Sequence, residues 1–223
     1  MANSGRSAAS DNGQSEPSRN CALCERLVTF REQARSRHPH WHNGPVPSFG
    51  EANGALLIVG LAPGLQGANR TGRPFTGDYA GDLLYSTLSA YGFTRGIFAA
   101  RPDDGLELVN CRVTNAVRCV PPENKPTPEE IRTCRSFLAS TIDEMPKLKA
   151  ILALGKIAHD TTVRTLGGRL SEHPFRHGGR HHLGKVALFS SYHCSRYNTN
   201  TGVLTKVMFE KVFEDIKLFL DAA

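Results

Sequence analysis

The sequence predicts an α/β protein: a three-layer α/β/α sandwich on a central four-stranded, mostly parallel sheet. Two observations carry that class. Short apolar segments rich in β-branched residues, each bounded by Gly or polar turns, alternate with longer helical stretches, as expected for strands covered on both faces. The chemically unusual residues then fall just after the strands, where open α/β sheets hold their ligands.

In chain order, residues 1–18 are rich in Ser, Asn, Gly and Ala and hold no apolar run, so a disordered tail is expected ahead of one domain over residues 19–223. The strands are Ala55 to Gly60, Leu106 to Asn115, Ala150 to Gly155 and Val186 to Ser191. The helices are Asp82 to Tyr91, Thr127 to Met145, Lys156 to Leu166 and Gly202 to Leu220. The second has a defined start, because Thr127 can cap, Pro128 suits the first helical position and Glu130 completes a capping box. Gly60-Leu61-Ala62-Pro63-Gly64 follows the first strand, Asn115 ends the second, and His193 follows the fourth.

Hydrophobic residues make up 39% of the chain, and no stretch approaches the roughly 20 apolar residues of a membrane span. The N-terminal segment also lacks the apolar centre of an export signal, so a soluble cytoplasmic protein is expected. A net charge of +6 favours a polyanionic partner. In a reducing compartment the six cysteines are expected to bind metal or lie buried as thiols rather than pair. Cys21 and Cys24 form a CxxC pair, and Cys119 and Cys134 flank a Pro-rich segment leading into a helix. Four thiolates from two regions can close one site, and spacing leaves zinc and an iron-sulfur cluster both open. Cys111, in an apolar strand, reads as a packed thiol.

Three ordered motifs go further. The run from Gly60 to Asp78 (GLAPGLQGANRTGRPFTGD), Thr114 to Pro122 (TNAVRCVPP) and Ser191 to Arg196 (SYHCSR) closely resemble the uracil-DNA glycosylase superfamily, nearest its type-B, or family 5, iron-sulfur branch. The resemblance covers nearly everything from Cys21 to the end of the chain. It implies a 4Fe-4S cluster on Cys21, Cys24, Cys119 and Cys134 with a structural role. It also implies hydrolysis of the N-glycosidic bond of uracil in DNA, the opening step of base excision repair.

That chemistry assigns roles. A base must leave the stack to be reached, so a pocket has to receive a flat ring, and Phe75 is the stacking face. Asn115 can donate to one uracil carbonyl and accept from the ring N–H, which cytosine cannot match. Gly60, Leu61, Ala62 and Gly64 complete the base-binding loop. His193 can donate to the base oxygen near the breaking bond even as a neutral imidazole. Leu61 and Ala62 stand where many superfamily members have a carboxylate or amide. The water and the sugar cation are therefore assigned to Asp78, which matches the type-B acidic residue, with Asn69 as the alternative and helix capping as the structural role for Asp78.

Two departures from the family are visible: His193-Cys194-Ser195 replaces the common His-Pro-Ser, and Gly64 stands where alanine is frequent. Arg70 and Arg73 are expected on flanking phosphates. Ser195, Arg196 and Tyr197 are expected in the gap left by the flipped nucleotide, and the basic stretch from Arg164 to Lys185, with Arg169, Arg176 and Arg180, on the DNA backbone. His38, His40 and His42, like His181 and His182, lack obvious carboxylate or cysteine partners and read as surface or structural residues. The Gly-rich loop lacks the ending of a P-loop. The expected protein is thus a monomeric, monofunctional glycosylase acting on uracil-containing and abasic DNA. A damaged-DNA binding module with slow or no turnover is the alternative, and an iron-sulfur electron carrier would leave Phe75, Asn115 and His193 without a role.

Overall fold

The apolar runs form the centre of a six-stranded sheet in the computed structural model, which describes residues 16–222. The elements are α1 (Glu25–Arg37), β1 (Phe49–Gly50), β2 (Leu56–Gly60), α2 (Ala68–Thr71), α3 (Tyr79–Ala90), β3 (Thr94–Arg95), β4 (Glu107–Leu108) and β5 (Cys111–Asn115). They continue with α4 (Pro128–Asp143), β6 (Ala150–Leu154), α5 (Lys156–Thr165), β7 (Arg180–Leu183), β8 (Val186–Ser191), α6 (Arg196–Asn200) and α7 (Lys206–Ala222). Sheet order is β1-β5-β2-β6-β8-β7. The four expected strands are its parallel centre, and β1 and β7 add an antiparallel edge on each side.

Side chains alternate along the central strands and so feed two cores. Leu56 and Ile58 of β2 pack with Leu84 and Leu88 of α3 and with α7, while Leu57 and Val59 pack with Leu138 of α4 and with Ala158 and Val163 of α5. On α7 the buried residues Phe209, Val212, Phe213 and Ile216 follow helical spacing, and each such side chain contributes about 1.5–3 kcal/mol of burial. Gly60 lies opposite Asn115 and Leu154 opposite Ser191, so the strands end together on one rim, and the loops that leave this rim build the site.

Several boundaries differ from the sequence expectation. The edge strands escape periodicity because β1 has two residues and β7 is the polar run Arg-His-His-Leu. The expected second strand breaks into β4 and β5 at Asn110, a left-handed residue (φ 54°) whose side chain accepts from the Ala55 N–H. Helix α3 begins at Tyr79 instead of Asp82, because Asp78 caps it by accepting from Gly81 N at 3.3 Å. Helix α7 starts at Lys206. The capping box of α4 forms as expected, with Glu130 Oε2 accepting from Thr127 N at 2.7 Å.

Most of the expected tail, residues 1–15, lies outside the described residues. Residues 16–18 do not behave as a disordered tail, since Glu16 pairs with the buried Arg118 guanidinium at 2.7 Å and accepts from Ser48 N. Helix α1 carries no expectation from the sequence. Its Arg26 grips Glu130 of α4 through two 2.7 Å bonds, and Leu27 joins Val117 and Phe137 in a third, small core around the cysteines. No helix among the described residues is long and apolar enough to cross a membrane.

Candidate active site

Loops after β2, β5 and β8 meet around a cavity of about 550 Å³. Leu61, Ala62 and Gly64 from the first loop, Phe75 and Asp78 ahead of α3, Asn115 at the end of β5, and His193, Ser195 and Arg196 after β8 all line it. Residues as far apart in the chain as Leu61 and Arg196 are thereby brought to one rim by the parallel register.

Phe75 is built into the wall under strain. Its φ of 52° is left-handed, uncommon for a bulky side chain. Gly81 permits it, since a Cβ there would lie 1.9 Å from the Phe75 carbonyl oxygen. Tyr85 Oη donates to the Pro74 carbonyl at 2.7 Å and pins the residue before it. The Phe75 ring lies 6.0 Å from the His193 ring at an interplanar angle of 26°.

Asn115 is 3% exposed, and its side chain makes no hydrogen bond with any described residue, so both ends of the amide are available to a ligand. Gly60 makes room for it. A Cβ at Gly60 would sit 2.4 Å from Asn115 Oδ1 and 2.5 Å from Phe75 Cζ, so glycine is required by the two side chains that would read and stack a base. Gly60→Ala is expected to lower kcat/KM roughly ten- to a hundred-fold by displacing both, with a smaller effect on the melting temperature, as steady-state kinetics beside thermal unfolding will show.

Burial alone pushes the His193 imidazole down to about 4, so at neutral pH it is uncharged. Asn198 Nδ2 donates to the His193 carbonyl at 2.8 Å and Ser195 caps α6, which fixes the loop. The cysteine that replaces proline is absorbed into the core: Cys194 is fully buried, and its thiol donates to the Ala80 carbonyl in the first turn of α3. Burial, then the nearby Asp78 carboxylate, pushes that thiol up to about 12. Asp78 itself is shifted above the ordinary carboxylate range by burial, opposed by backbone N–H donation from Gly81 and Ala80. Gly64 and Gly67 leave space for it, since a Cβ on either would fall 3.3 Å and 2.3 Å from Asp78 Oδ2. Capping and presence in the cavity coexist in this one side chain.

Two expected site residues are elsewhere. Asn69 is 0% exposed and does not line the cavity; its Nδ2 donates to Asn43 Oδ1 at 3.0 Å, stapling α2 to the segment around Asn43. Arg73 is 5% exposed and forms a bidentate pair with Asp104 at 2.7 and 2.8 Å, inside a cage of Phe49, Tyr85 and Phe98. That pairing, first through the hydrogen bonds, holds Asp104 far below the ordinary range. Arg73 therefore braces the Phe75 loop and is not available to phosphate. Tyr197 is 74% exposed on α6, beyond the cavity, and Arg196 lies over the Tyr79 ring at 5.3 Å. The basic stretch after α5 does not reach the cavity: Arg169 pairs with Glu172, and Arg180 lies over Phe189 and Phe219 on the edge strand. Gln66, Tyr79 and Asn124 line the cavity without having been expected. Tyr79 is adjacent to Asp78 and would follow from an earlier helix start; Asn124, in a left-handed turn, has no sequence signal.

On the far side of β5, Cys21, Cys24, Cys119 and Cys134 line one small cavity with Leu27 and Phe137. Burial, followed by the neighbouring thiols, pushes Cys24 and Cys134 up to about 11 and Cys119 up to about 12. Arg118 N donates to Cys134 Sγ at 3.3 Å and Arg31 Nη1 to Cys119 Sγ at 3.9 Å.

The model of the uracil DNA glycosylase superfamily matches residues 47–217. A type-5 uracil-DNA glycosylase of Thermus thermophilus is 45% identical over 204 residues, 88% of this chain and 92% of that protein. A type-5 uracil-DNA glycosylase of Pyrobaculum aerophilum is 38% identical, covering 83% of each chain, and one of Mycobacterium bovis is 41% identical over 88% of this chain and 77% of its own. With its cavity built from the same three loops that carry the motif resemblance, the chain belongs to the uracil DNA glycosylase superfamily.

Proposed function

We propose that this protein is a monofunctional glycosylase that hydrolyses the N-glycosidic bond of uracil in DNA and so opens base excision repair. The observation that carries the reading is the convergence of Phe75, Asn115, His193 and Asp78 on one cavity.

A uracil turned out of the duplex stacks on Phe75, and the unengaged Asn115 amide donates to its carbonyl and accepts from its ring N–H. As the bond to the sugar breaks, the base becomes anionic and the sugar cationic. The neutral His193 donates to the base oxygen, which disperses the charge without adding a proton of its own. The Asp78 carboxylate stabilises the sugar cation, orients a water for attack at the anomeric carbon and accepts its proton. Tyr197, exposed on α6 next to Arg196, is assigned the filling of the gap in the duplex.

The four clustered cysteines suit a 4Fe-4S cluster. They line one small cavity from two separated regions of the chain, and a cubane takes each thiolate on a separate iron. The buried Arg31 donates to Cys119 Sγ, and the backbone N–H of Arg118, whose guanidinium is held by Glu16, donates to Cys134 Sγ, so two of the four sulfurs already have donors that suit a thiolate. When bound, the cluster supplies iron-thiolate bonds that cross-link the segment before α1 to the loop after β5 and to α4. Incubation with uracil-containing oligonucleotides is expected to release free uracil over many turnovers, and protein purified without oxygen is expected to be brown with a visible band that bleaches on reduction. Absence of base release overturns the enzymatic reading; colourless protein carrying zinc overturns the cluster.

A further inference from the structure

A second feature adjoins the base cavity at Arg70. A Cβ on Gly77, in the cavity wall, would lie 3.0 Å from Arg70 Nη2, and the same arginine lines an open groove with Arg19, His40, Trp41 and Arg101. No acidic residue lines that groove among the described residues. Its base is fixed by backbone bonds: His42 N–H donates to the Arg70 carbonyl at 3.1 Å and Asn43 N–H to the Asn69 carbonyl at 3.0 Å. Arg19 Nη2 donates to the His42 carbonyl at 3.2 Å, which holds that arginine at the groove wall. The His38 ring stacks on Trp41 at 3.8 Å and 8°, setting the indole in place. The opposite wall carries Ala100 in a left-handed conformation, φ 56°.

Resting on the reading of DNA as substrate, we propose that this groove binds the DNA strand next to the flipped nucleotide, with Arg19, Arg70 and Arg101 against phosphates and Trp41 against a neighbouring base or sugar. Among the described residues, only Arg101 of the three arginines has a carboxylate nearby, the exposed Asp103 at 3.7 Å outside the groove lining. The groove thus keeps a net positive face that suits a polyanion, and an aromatic set between cations is the arrangement that grips a strand without reading its sequence. Continuity through Arg70 places the groove one step from the reacting nucleotide. The histidines at 38, 40 and 42 thereby gain a role other than metal binding: they hold or flank the stacking residue.

Trp41 is the only tryptophan in the chain, so its fluorescence reports on this groove alone. Titration with an abasic-site duplex is expected to quench its emission. Shortening the duplex on one side of the lesion should abolish the quenching, and shortening it on the other should not. Arg19→Ala combined with Arg101→Ala, neither of which lines the base cavity, is expected to lower the slope of log Kd against log salt by about two, and Trp41→Ala to weaken binding roughly ten-fold. If the double variant folds poorly, Arg101→Ala alone, an exposed side chain, should lower the slope by about one. Uracil release with unchanged emission and unchanged salt slope overturns the groove and leaves the glycosylase reading standing. Quenching by DNA that yields no uracil retains the groove and removes that reading instead.

Discussion

Asp78→Asn is expected to lower kcat about 100- to 1,000-fold while leaving the fold intact, and Asn69→Ala is expected to do the reverse. Both contrasts come from where the two side chains sit. Asp78 lines the cavity and caps α3 at once. Asparagine caps a helix about as well as aspartate, so the substitution removes the charge and the proton acceptor but keeps the α3 start. Asn69 is shut away from the cavity and holds Asn43, so its loss removes a buried hydrogen bond at a cost of about 1–3 kcal/mol and barely touches the rate. Steady-state rates beside thermal unfolding of the two variants separate the roles; full activity in Asp78→Asn would remove Asp78 from the reaction.

The same carboxylate sets a pH dependence. Burial raises the Asp78 pKa, so kcat/KM should fall on an acid limb above the ordinary aspartate value of about 3.9, and Asp78→Asn should abolish that limb. His193 does not interfere until about pH 4, where it begins to protonate. Stability moves in the opposite sense. A group whose folded pKa is raised binds its proton more tightly in the folded state, so its contribution is present at low pH and is lost as pH rises from the unfolded value through the folded one. At neutral pH the ionised Asp78 therefore weakens the fold, and Asp78→Asn should melt at the same temperature as the parent or higher. A stabilised but slow variant is the signature of a charge kept for chemistry.

What could be read from the chain divides along physical lines. The four central strands were legible because burial on both faces writes itself as continuous apolar runs, and the start of α4 because its capping box is local. The edge strands were not, since β7 is covered on one side only and tolerates Arg180 and His182. In the site, Phe75, Asn115, His193 and Asp78 sit in motifs long enough to be recognised. The errors concern residues whose meaning depends on a distant partner: Arg73 looks like a phosphate ligand until Asp104, 31 positions on, is seen to hold it, and Asn69 looks like a catalytic amide until Asn43 is found against it. Trp41 and its neighbours gave no signal of a groove, because the walls from Arg19 and Arg101 come together only in three dimensions.

Base selection offers the other large effect. Asn115→Asp is expected to reduce uracil release about 100- to 1,000-fold and to raise cytosine release above that of the parent. The asparagine presents one donor and one acceptor, which match the carbonyl and ring N–H of uracil. An ionised aspartate presents acceptors only, so one of them faces the uracil carbonyl with both oxygens desolvated. Cytosine offers the opposite pair, an amino donor and an acceptor nitrogen, and a protonated aspartic acid satisfies both. Position 115 is almost fully buried at the end of β5, and burial raises a carboxyl pKa, so the protonated form will be populated more readily than in water. The protonated carboxyl can equally donate to the uracil carbonyl and accept from its ring N–H, so both cytosine and uracil release by the variant should grow as pH falls, whereas the parent releases uracil alone. Competition between uracil- and cytosine-containing oligonucleotides across a pH series measures the ratio directly. A ratio equal to that of the parent at every pH would mean that the base is read elsewhere in the cavity, with Gln66 and Asn124 the remaining amides in its wall.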